Sequence, residues 1–421
     1  MSSKIKLRIE GGNKLRGIIR IDTAKNASLP ILASCVLVND VVRLQNIPKL
    51  SDIDNMLHIL ATLGVRIKWQ GSDLIIDSRY MTSDDATAVE ARTIRGSIFL
   101  LGSILGRFKR ARLIYPGGCA IGNRPIDLHI QGLRDLGVTV QEKKGFITCN
   151  SRRAYGGDVH LDFPSVGATE NLMMAGVLGK SCVRIINAAK EPEVIDLANF
   201  LNKCGARISG AGTSVITIEG VKSLSGCTYT PIPDRIITGS YLLAVASVGG
   251  DVTLTNAIAS HNQSLITKII KSGCKIDYSE NTIRIQSEGR AKSISSIQTS
   301  PYPGFPTDLQ SQISVYQALS RGVSTVTENL FESRFKYVPE LIKMGAKITV
   351  RERTAIITGV DKLDGAHVIA SDLRGGVALV IAGLAADGIT EIENAEYIYR
   401  GHQAIEDDLS KVGANIIKLI Q

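Results

Sequence analysis

One pattern recurs six times along the chain. A helix-like run ends at a glycine, and apolar and polar residues alternate just beyond it. The glycines are Gly64, Gly137, Gly205, Gly273, Gly345 and Gly413. They stand roughly 70 residues apart, a fixed period that signals internal duplication. Each copy obeys the same local physics. An amphipathic helix stops at a residue able to take the left-handed C-terminal conformation. A half-buried strand follows, then a polar turn such as Gln70-Gly71-Ser72 or Ser279-Glu280-Asn281, and a second strand returns. Any fold for this chain must use the unit six times.

The period is longer than that of a thin solenoid, and each unit carries a second helix, for example at 96–106 and 238–247. The expectation is a set of small α+β subdomains, each with its own helices and sheet. Six units can cluster three plus three. A leading strand at Asn13–Ile21 precedes the first full unit, and the sixth unit runs to the last residues. The chain ends are therefore expected to share a domain, 1–21 with 233–421, and 22–232 to be an inserted domain. Prolines at Pro231 and Pro233 mark the second crossing. A site lying between two such domains would close by hinge motion.

Composition narrows the function. At 421 residues, 44% hydrophobic and 21% charged, the chain has the balance of a globular protein. Its longest apolar runs, 96–106 and 378–385, fall short of a membrane span. The first eight residues alternate basic and apolar side chains and lack the continuous apolar segment of a signal peptide. The expectation is a cytoplasmic protein with no membrane partner. Seven cysteines are scattered without metal-site spacing, so no metal is expected. The net charge is +9 but aromatics make up only 5%, with no basic block interleaved with them. That argues against nucleic acid and suits the steering of small anions.

Several motifs carry candidate chemistry. In Tyr115-Pro116-Gly117-Gly118-Cys119-Ala120-Ile121-Gly122-Asn123-Arg124-Pro125, a mobile glycine-rich loop presents one thiol near a guanidinium. A cation favours the thiolate and makes the cysteine a better nucleophile or proton donor. The plainer reading is a surface loop with an incidental cysteine. Lys25 and Asn26 stand where a strand gives way to a helix, a good place to hold an anion. The rigid turn Tyr302–Pro306 delivers Asp308 to a helix start, as an N-cap or as a carboxylate able to take a proton from a hydroxyl. Arg95, Arg374 and Arg400 each stand beside glycine in different copies of the unit, which favours a shared anion pocket over isolated surface ion pairs. Glu191-Pro192-Glu193 reads as an acid-rich helix start, with at most a supporting role.

Taken together, these motifs resemble the UDP-N-acetylglucosamine enolpyruvyl transferases over essentially the whole chain. The most specific are 116–122 with 124–129, and Pro303-Gly304-Phe305-Pro306-Thr307-Asp308. Also similar are Ala24–Ala27, Pro164–Thr169, Pro233-Asp234-Arg235 with Thr238-Gly239, Phe331-Glu332 with Arg334-Phe335, and Asp372-Leu373-Arg374. The resemblance implies a two-domain inside-out α/β barrel built from six βαβαββ units, three per domain. It implies transfer of the enolpyruvyl group of phosphoenolpyruvate to the 3-hydroxyl of UDP-N-acetylglucosamine, with no cofactor. Cys119, Asp308 and Lys25 would be catalytic, with Cys119 protonating the methylene carbon and Asp308 taking the hydroxyl proton. Lys25, Arg124 and Arg400 would hold phosphate and carboxylate, with Arg374 nearby. Asn26, Arg95, Pro125, Ile126, Asp127, Leu128, Phe163, Pro164, Ser165, Val166, Gly167 and Leu330 would line the substrate site. The resemblance also implies inactivation by the phosphonate epoxide fosfomycin at Cys119.

Three other readings compete. A 5-enolpyruvylshikimate-3-phosphate synthase would share the fold but would not need Cys119. A catalytically silent paralogue would not need Cys119, Asp308 and Lys25 together. An NAD-dependent enzyme would rest on Gly210-Ala211-Gly212, a partial fingerprint without a following helix.

Overall fold

A computed structural model of the chain describes residues 5–92, 94–117, 126–151 and 155–420. The chain divides into two compact units: 23–117 with 126–232, and 5–22 with 233–420. It passes from one to the other after Asp22 and again after Ile232.

Among the described residues each unit holds six α-helices in alternating roles. In unit 23–232 they are α1 (Lys25–Ser34), α2 (Ser51–Thr62), α3 (Phe99–Phe108), α4 (Asp127–Asp135), α5 (Val166–Val177) and α6 (Pro192–Lys203). In the other unit they are α7 (Arg235–Val248), α8 (Gln263–Ser272), α9 (Gln310–Leu319), α10 (Val338–Lys343), α11 (Leu373–Ala385) and α12 (Ile405–Lys411). The odd-numbered helices are buried nearly all round. Such helices have no polar face to offer water and must sit inside. In the second unit α7, α9 and α11 pack on one another. In the first, α3 packs on both α1 and α5. Even-numbered helices such as α8 bury one stripe, here Leu265, Ile266 and Ile269.

Among the described residues six four-stranded sheets flank these helices, three per unit, and all follow one plan. A parallel pair comes first, then two antiparallel pairings. In one, strand Gly157–His160 runs parallel to Val183–Ile186, which is antiparallel to Val215–Glu219, and Arg207–Ser209 completes the sheet. Strands alternate buried and exposed residues, as in Val183–Ile186, so one face of each sheet covers the core. Helices inside and sheets outside are the inverse of an ordinary α/β barrel.

The six glycines end the even-numbered helices in one way. All six have positive φ, from 88° to 119°. The amide after each glycine donates to the carbonyl five residues back: Val65 to Leu60, Val138 to Leu133, Ala206 to Leu201, Cys274 to Ile269, Ala346 to Leu341 and Ala414 to Leu409, at 3.0–3.1 Å. This is the Schellman closure, which satisfies a carbonyl the helix leaves open. The accepting leucine or isoleucine is fully buried in every copy. The local backbone signal and the core therefore agree at each helix end.

The units close differently from what a simple repeat gives. Thr228–Tyr229 returns to run parallel to Val41–Leu44, completing the first sheet of unit 23–232. Leu15–Arg20 runs parallel to Gly250–Thr255. An earlier strand, Ile5–Glu10, which the sequence reading did not separate from the chain start, lies between Ile389–Glu393 and Asn415–Ile420. Its alternation points Leu7 and Ile9 inward and Arg8 outward.

Candidate active site

In unit 5–22 with 233–420, Arg374 and Leu330 join Asp308 in one bonded cluster. Pro306 precedes a 3-10 turn, Thr307–Leu309, that runs into α9. Asp308 is therefore not a helix cap. Its two carboxylate oxygens instead take two guanidinium groups: Arg334 on Oδ1, and Arg374 on Oδ2 at 2.7 Å. Both arginines are buried, 4% and 7% exposed, while the Asp308 side chain keeps 23% of its surface. A carboxylate gripped on both oxygens is fixed in orientation yet still open to an incoming hydroxyl.

The support beneath this group is also polar and buried. Arg374 is the second residue of α11, whose N-cap Asp372 accepts from the amides of Arg374 and Gly375 at 2.9 and 3.0 Å. Ser311 donates to the Arg374 carbonyl at 2.8 Å, tying α9 to α11. The Arg334 Nε donates to Thr307, and Thr307 donates to Glu328 at 2.8 Å. Glu328, with no exposed surface, also accepts from the Thr299 hydroxyl and from the amides of Leu330 and Phe331. Leu330 and Asp308 thus belong to one network. Arg400 ends the 3-10 turn Ala395–Arg400 and is half-buried.

In unit 23–232 the candidates stand at helix beginnings. Lys25 and Asn26 open α1, whose N-cap Ala24 offers no side-chain acceptor. The Lys25 ammonium lies 3.0 Å from Asp52 in the first turn of α2, and both side chains are nearly buried. Arg95 opens the 3-10 turn before α3. Asp127 and Leu128 open α4. Ser165 caps α5 by accepting from the Ala168 amide, and Val166 and Gly167 begin that helix. Pro164 is half-buried before it, and Phe163 is exposed at 44%. Helix beginnings present amide donors and a positive dipole end, which suits anionic ligands.

His129 couples three of these elements. It is buried in α4 and its Nδ1 lies 2.8 Å from the Asn171 amide nitrogen of α5. The Asn171 Nδ2 also donates to the Ile98 carbonyl, and its oxygen accepts from the Gly102 amide. Nδ1 is therefore the accepting nitrogen of the ring. Burial, with the Arg95 charge adding to it, pushes His129 down to about 3. At Gly167 a Cβ would stand 3.1 Å from the ring, so glycine permits this approach. A cavity of about 350 Å³ lies beside α4, lined by Ile126, Asp127 and Leu128 together with Tyr115, Arg134 and Asp162.

Cys119, Arg124 and Pro125 lie outside the described residues. Three groups the sequence reading did not nominate now stand out. Arg334 lies inside a quoted motif but reads there as one more arginine. His129 also lies inside a quoted motif, but its partnership with Asn171 joins separate helices and carries no local signal. Glu170, on α5 and fully buried, has no hydrogen-bond partner for either oxygen among the described residues. Burial, with Glu193 and Glu191 close by, holds its carboxyl well above the usual range.

Comparison with known proteins agrees with this architecture. Residues 9–409 match the family model for EPSP synthase (3-phosphoshikimate 1-carboxyvinyltransferase). The UDP-N-acetylglucosamine 1-carboxyvinyltransferase 2 of Caldanaerobacter subterraneus subsp. tengcongensis is 48% identical over 415 residues, covering 99% of this chain and 100% of that one. The UDP-N-acetylglucosamine 1-carboxyvinyltransferase of Clostridium botulinum is 46% identical over 416 residues, covering 98% and 100%. Among solved structures, the enolpyruvyl transferase NikO from Streptomyces tendae superposes with a TM-score of 0.87 at 21% identity, over 100% of both chains. That likeness carries the fold, and the sequence relatives carry the subgroup. The chain belongs to the EPSP synthase family of enolpyruvyl transferases, in the branch of the UDP-N-acetylglucosamine 1-carboxyvinyltransferases.

Proposed function

We propose that this chain transfers the enolpyruvyl group of phosphoenolpyruvate to the 3-hydroxyl of UDP-N-acetylglucosamine and releases phosphate. This is the first committed step of peptidoglycan synthesis and takes place in the cytoplasm. The observation that carries the reading is near-half identity, over the whole length, to relatives bearing that enzyme name. The chain also keeps each chemical group the reaction needs.

The chemistry divides among those groups. Cys119 gives a proton to the methylene carbon of phosphoenolpyruvate, leaving positive character on C2. The sugar 3-oxygen attacks C2, and its proton passes to Asp308. Arg334 and Arg374 grip the Asp308 carboxylate and fix its orientation. Loss of phosphate from C2, and of a proton from the new methyl group, restores the double bond as an enol ether. Lys25, Arg124 and Arg400 bind the donor's phosphate and carboxylate, helped by the start of α1. Asn26, Arg95, Pro125 and the stretches 126–128 and 163–167 receive the nucleotide sugar, with the cavity beside α4 taking its base, and Leu330 adds an apolar contact.

The test is phosphate release from phosphoenolpyruvate with two acceptors. Release with UDP-N-acetylglucosamine and none with shikimate 3-phosphate is expected. The reverse preference would return the chain to the shikimate branch of its family, and no release with either would make it a silent paralogue.

A further inference from the structure

Away from the candidate catalytic groups, unit 23–232 contains two thiols in contact. The Cys204 and Cys227 sulfurs lie 3.4 Å apart. Cys204 ends α6 in the Schellman closure and is 1% exposed. Cys227 is half-exposed, just before the strand Thr228–Tyr229. Backbone bonds hold both in place. The Ser225 amide donates to the Cys204 carbonyl at 2.8 Å, and the Arg43 amide to the Cys227 carbonyl at 2.9 Å. In the sequence 22 residues stand between them, and nothing local pairs them.

The two thiols differ in character. The contact with the Cys204 sulfur holds the Cys227 thiol below the ordinary thiol range, and the Lys203 ammonium acts in the same direction. Cys204 is raised by that same contact and by burial. A more exposed, more acidic thiol beside a buried partner is the arrangement of an attacking and a resolving cysteine. Cys35, the third sulfur in the neighbourhood, is fully buried and donates to the Ile31 carbonyl at 3.3 Å.

We propose that Cys204 and Cys227 form a reversible two-thiol modification site that reacts with hydroperoxides. The Cys227 thiolate attacks the hydroperoxide, breaks its O–O bond, and becomes a sulfenic acid while an alcohol or water leaves. The Cys204 sulfur then attacks the Cys227 sulfur, forming the disulfide and expelling water. Two electrons pass from the thiol pair to the hydroperoxide, and both thiol protons leave in the released alcohol and water. Disulfide sulfurs lie about 2 Å apart, so side-chain torsions close the remaining gap.

The consequence is local stiffening. Residues 227–232 complete the first sheet of the unit through Thr228–Tyr229. They also hold Asp196 on α6: the Tyr229 hydroxyl donates to its Oδ1 at 2.6 Å and the Ile232 amide to its Oδ2 at 3.1 Å. A Cys204–Cys227 disulfide adds a covalent tie between this segment and the end of α6.

The experiment uses the full reduced chain, hydrogen peroxide as oxidant, an alkylating quench and peptide mass spectrometry. The expected result is one cross-linked pair, the peptide with Cys204 joined to the peptide with Cys227, two hydrogens lighter than the sum and restored by dithiothreitol. The oxidised chain should unfold several degrees higher than the reduced chain, and Cys227→Ala should lose that increase. Recovery of Cys227 as a sulfinic acid without a link, or linked to Cys35, would overturn the assignment. A Cys204–Cys227 link with an unchanged midpoint would overturn the stiffening. The mapping is made on the unaltered chain, so it does not depend on any variant folding.

Discussion

Arg374 reaches Asp308 at 2.7 Å from the first turn of α11, 66 residues further along the chain. With Arg334 on the other oxygen, Asp308 is held by two buried arginines while its own side chain stays partly open. Asp308→Asn keeps the shape but leaves two buried guanidinium groups facing a neutral amide. Breaking a pair of this kind costs about 3 kcal/mol, and losing a positioned base lowers turnover roughly a hundred- to ten-thousandfold. Arg374→Lys keeps the charge but loses the planar fork, so its turnover should fall with little loss of stability. Steady-state kinetics and denaturant unfolding measure both. An Asp308→Asn enzyme with near-normal turnover would remove Asp308 from the mechanism.

Lys25 gives a different expectation, because its partner Asp52 is also nearly buried. Lys25→Ala should weaken phosphoenolpyruvate binding roughly ten- to a hundredfold, the range for one lost charge-assisted contact. It should also destabilise unit 23–232, since Asp52 loses its ammonium. Calorimetric titration with phosphoenolpyruvate checks the first effect and thermal unfolding the second. Unchanged affinity would take Lys25 out of the anion pocket.

His129 makes stability depend on pH. Its folded value, about 3, lies below the unfolded value near 6.5. Above pH 6.5 the ring is neutral in both states and its contribution to stability is complete. As pH falls from 6.5 toward 3, the unfolded chain takes up a proton that the folded chain refuses, and stability is lost. The linkage slope is about 1.4 kcal/mol per pH unit, so this residue accounts for about 2 kcal/mol between pH 8 and pH 5. His129→Gln should remove that share of the acid sensitivity. Denaturant unfolding at the two pH values measures it, and identical acid sensitivity in both proteins would contradict the assignment.

In the proposed mechanism Cys119 is the proton donor, and the cations proposed around it favour its thiolate. Fosfomycin carries an anion for the pocket and an electrophilic epoxide for the sulfur. It should modify Cys119 faster when UDP-N-acetylglucosamine is present. Cys119→Asp retains a proton donor but no sulfur, so it should keep turnover and lose sensitivity. Intact-mass and peptide analysis locate the adduct. A Cys119→Asp enzyme that stays fully sensitive would place the reactive group elsewhere.

Much of this architecture is legible in the sequence because its signals are local. A Schellman closure is written in one short stretch, with a buried leucine or isoleucine before the glycine, and six copies make it unmistakable. Asp308 and Arg374 stand out because prolines or glycines surround them. What the sequence hides is pairing over distance. Asp308 reads either as a cap or as a positioned carboxylate until Arg334 and Arg374 meet it. His129 and Asn171 gain meaning only where α4 lies beside α5, and Ile5–Glu10 finds its partner at the other end of the chain. Cys204 and Cys227 look inert until the fold brings their sulfurs together.

The central claim is tested most directly by identifying the product. Incubation with phosphoenolpyruvate labelled with carbon-13 at C2, and UDP-N-acetylglucosamine, should give one nucleotide sugar bearing the labelled carbon. Nuclear magnetic resonance should show that carbon as an enol ether coupled to the sugar 3-position, with one phosphate released per product. A labelled carbon attached elsewhere on the sugar, or phosphate released without a nucleotide-sugar product, would contradict the account.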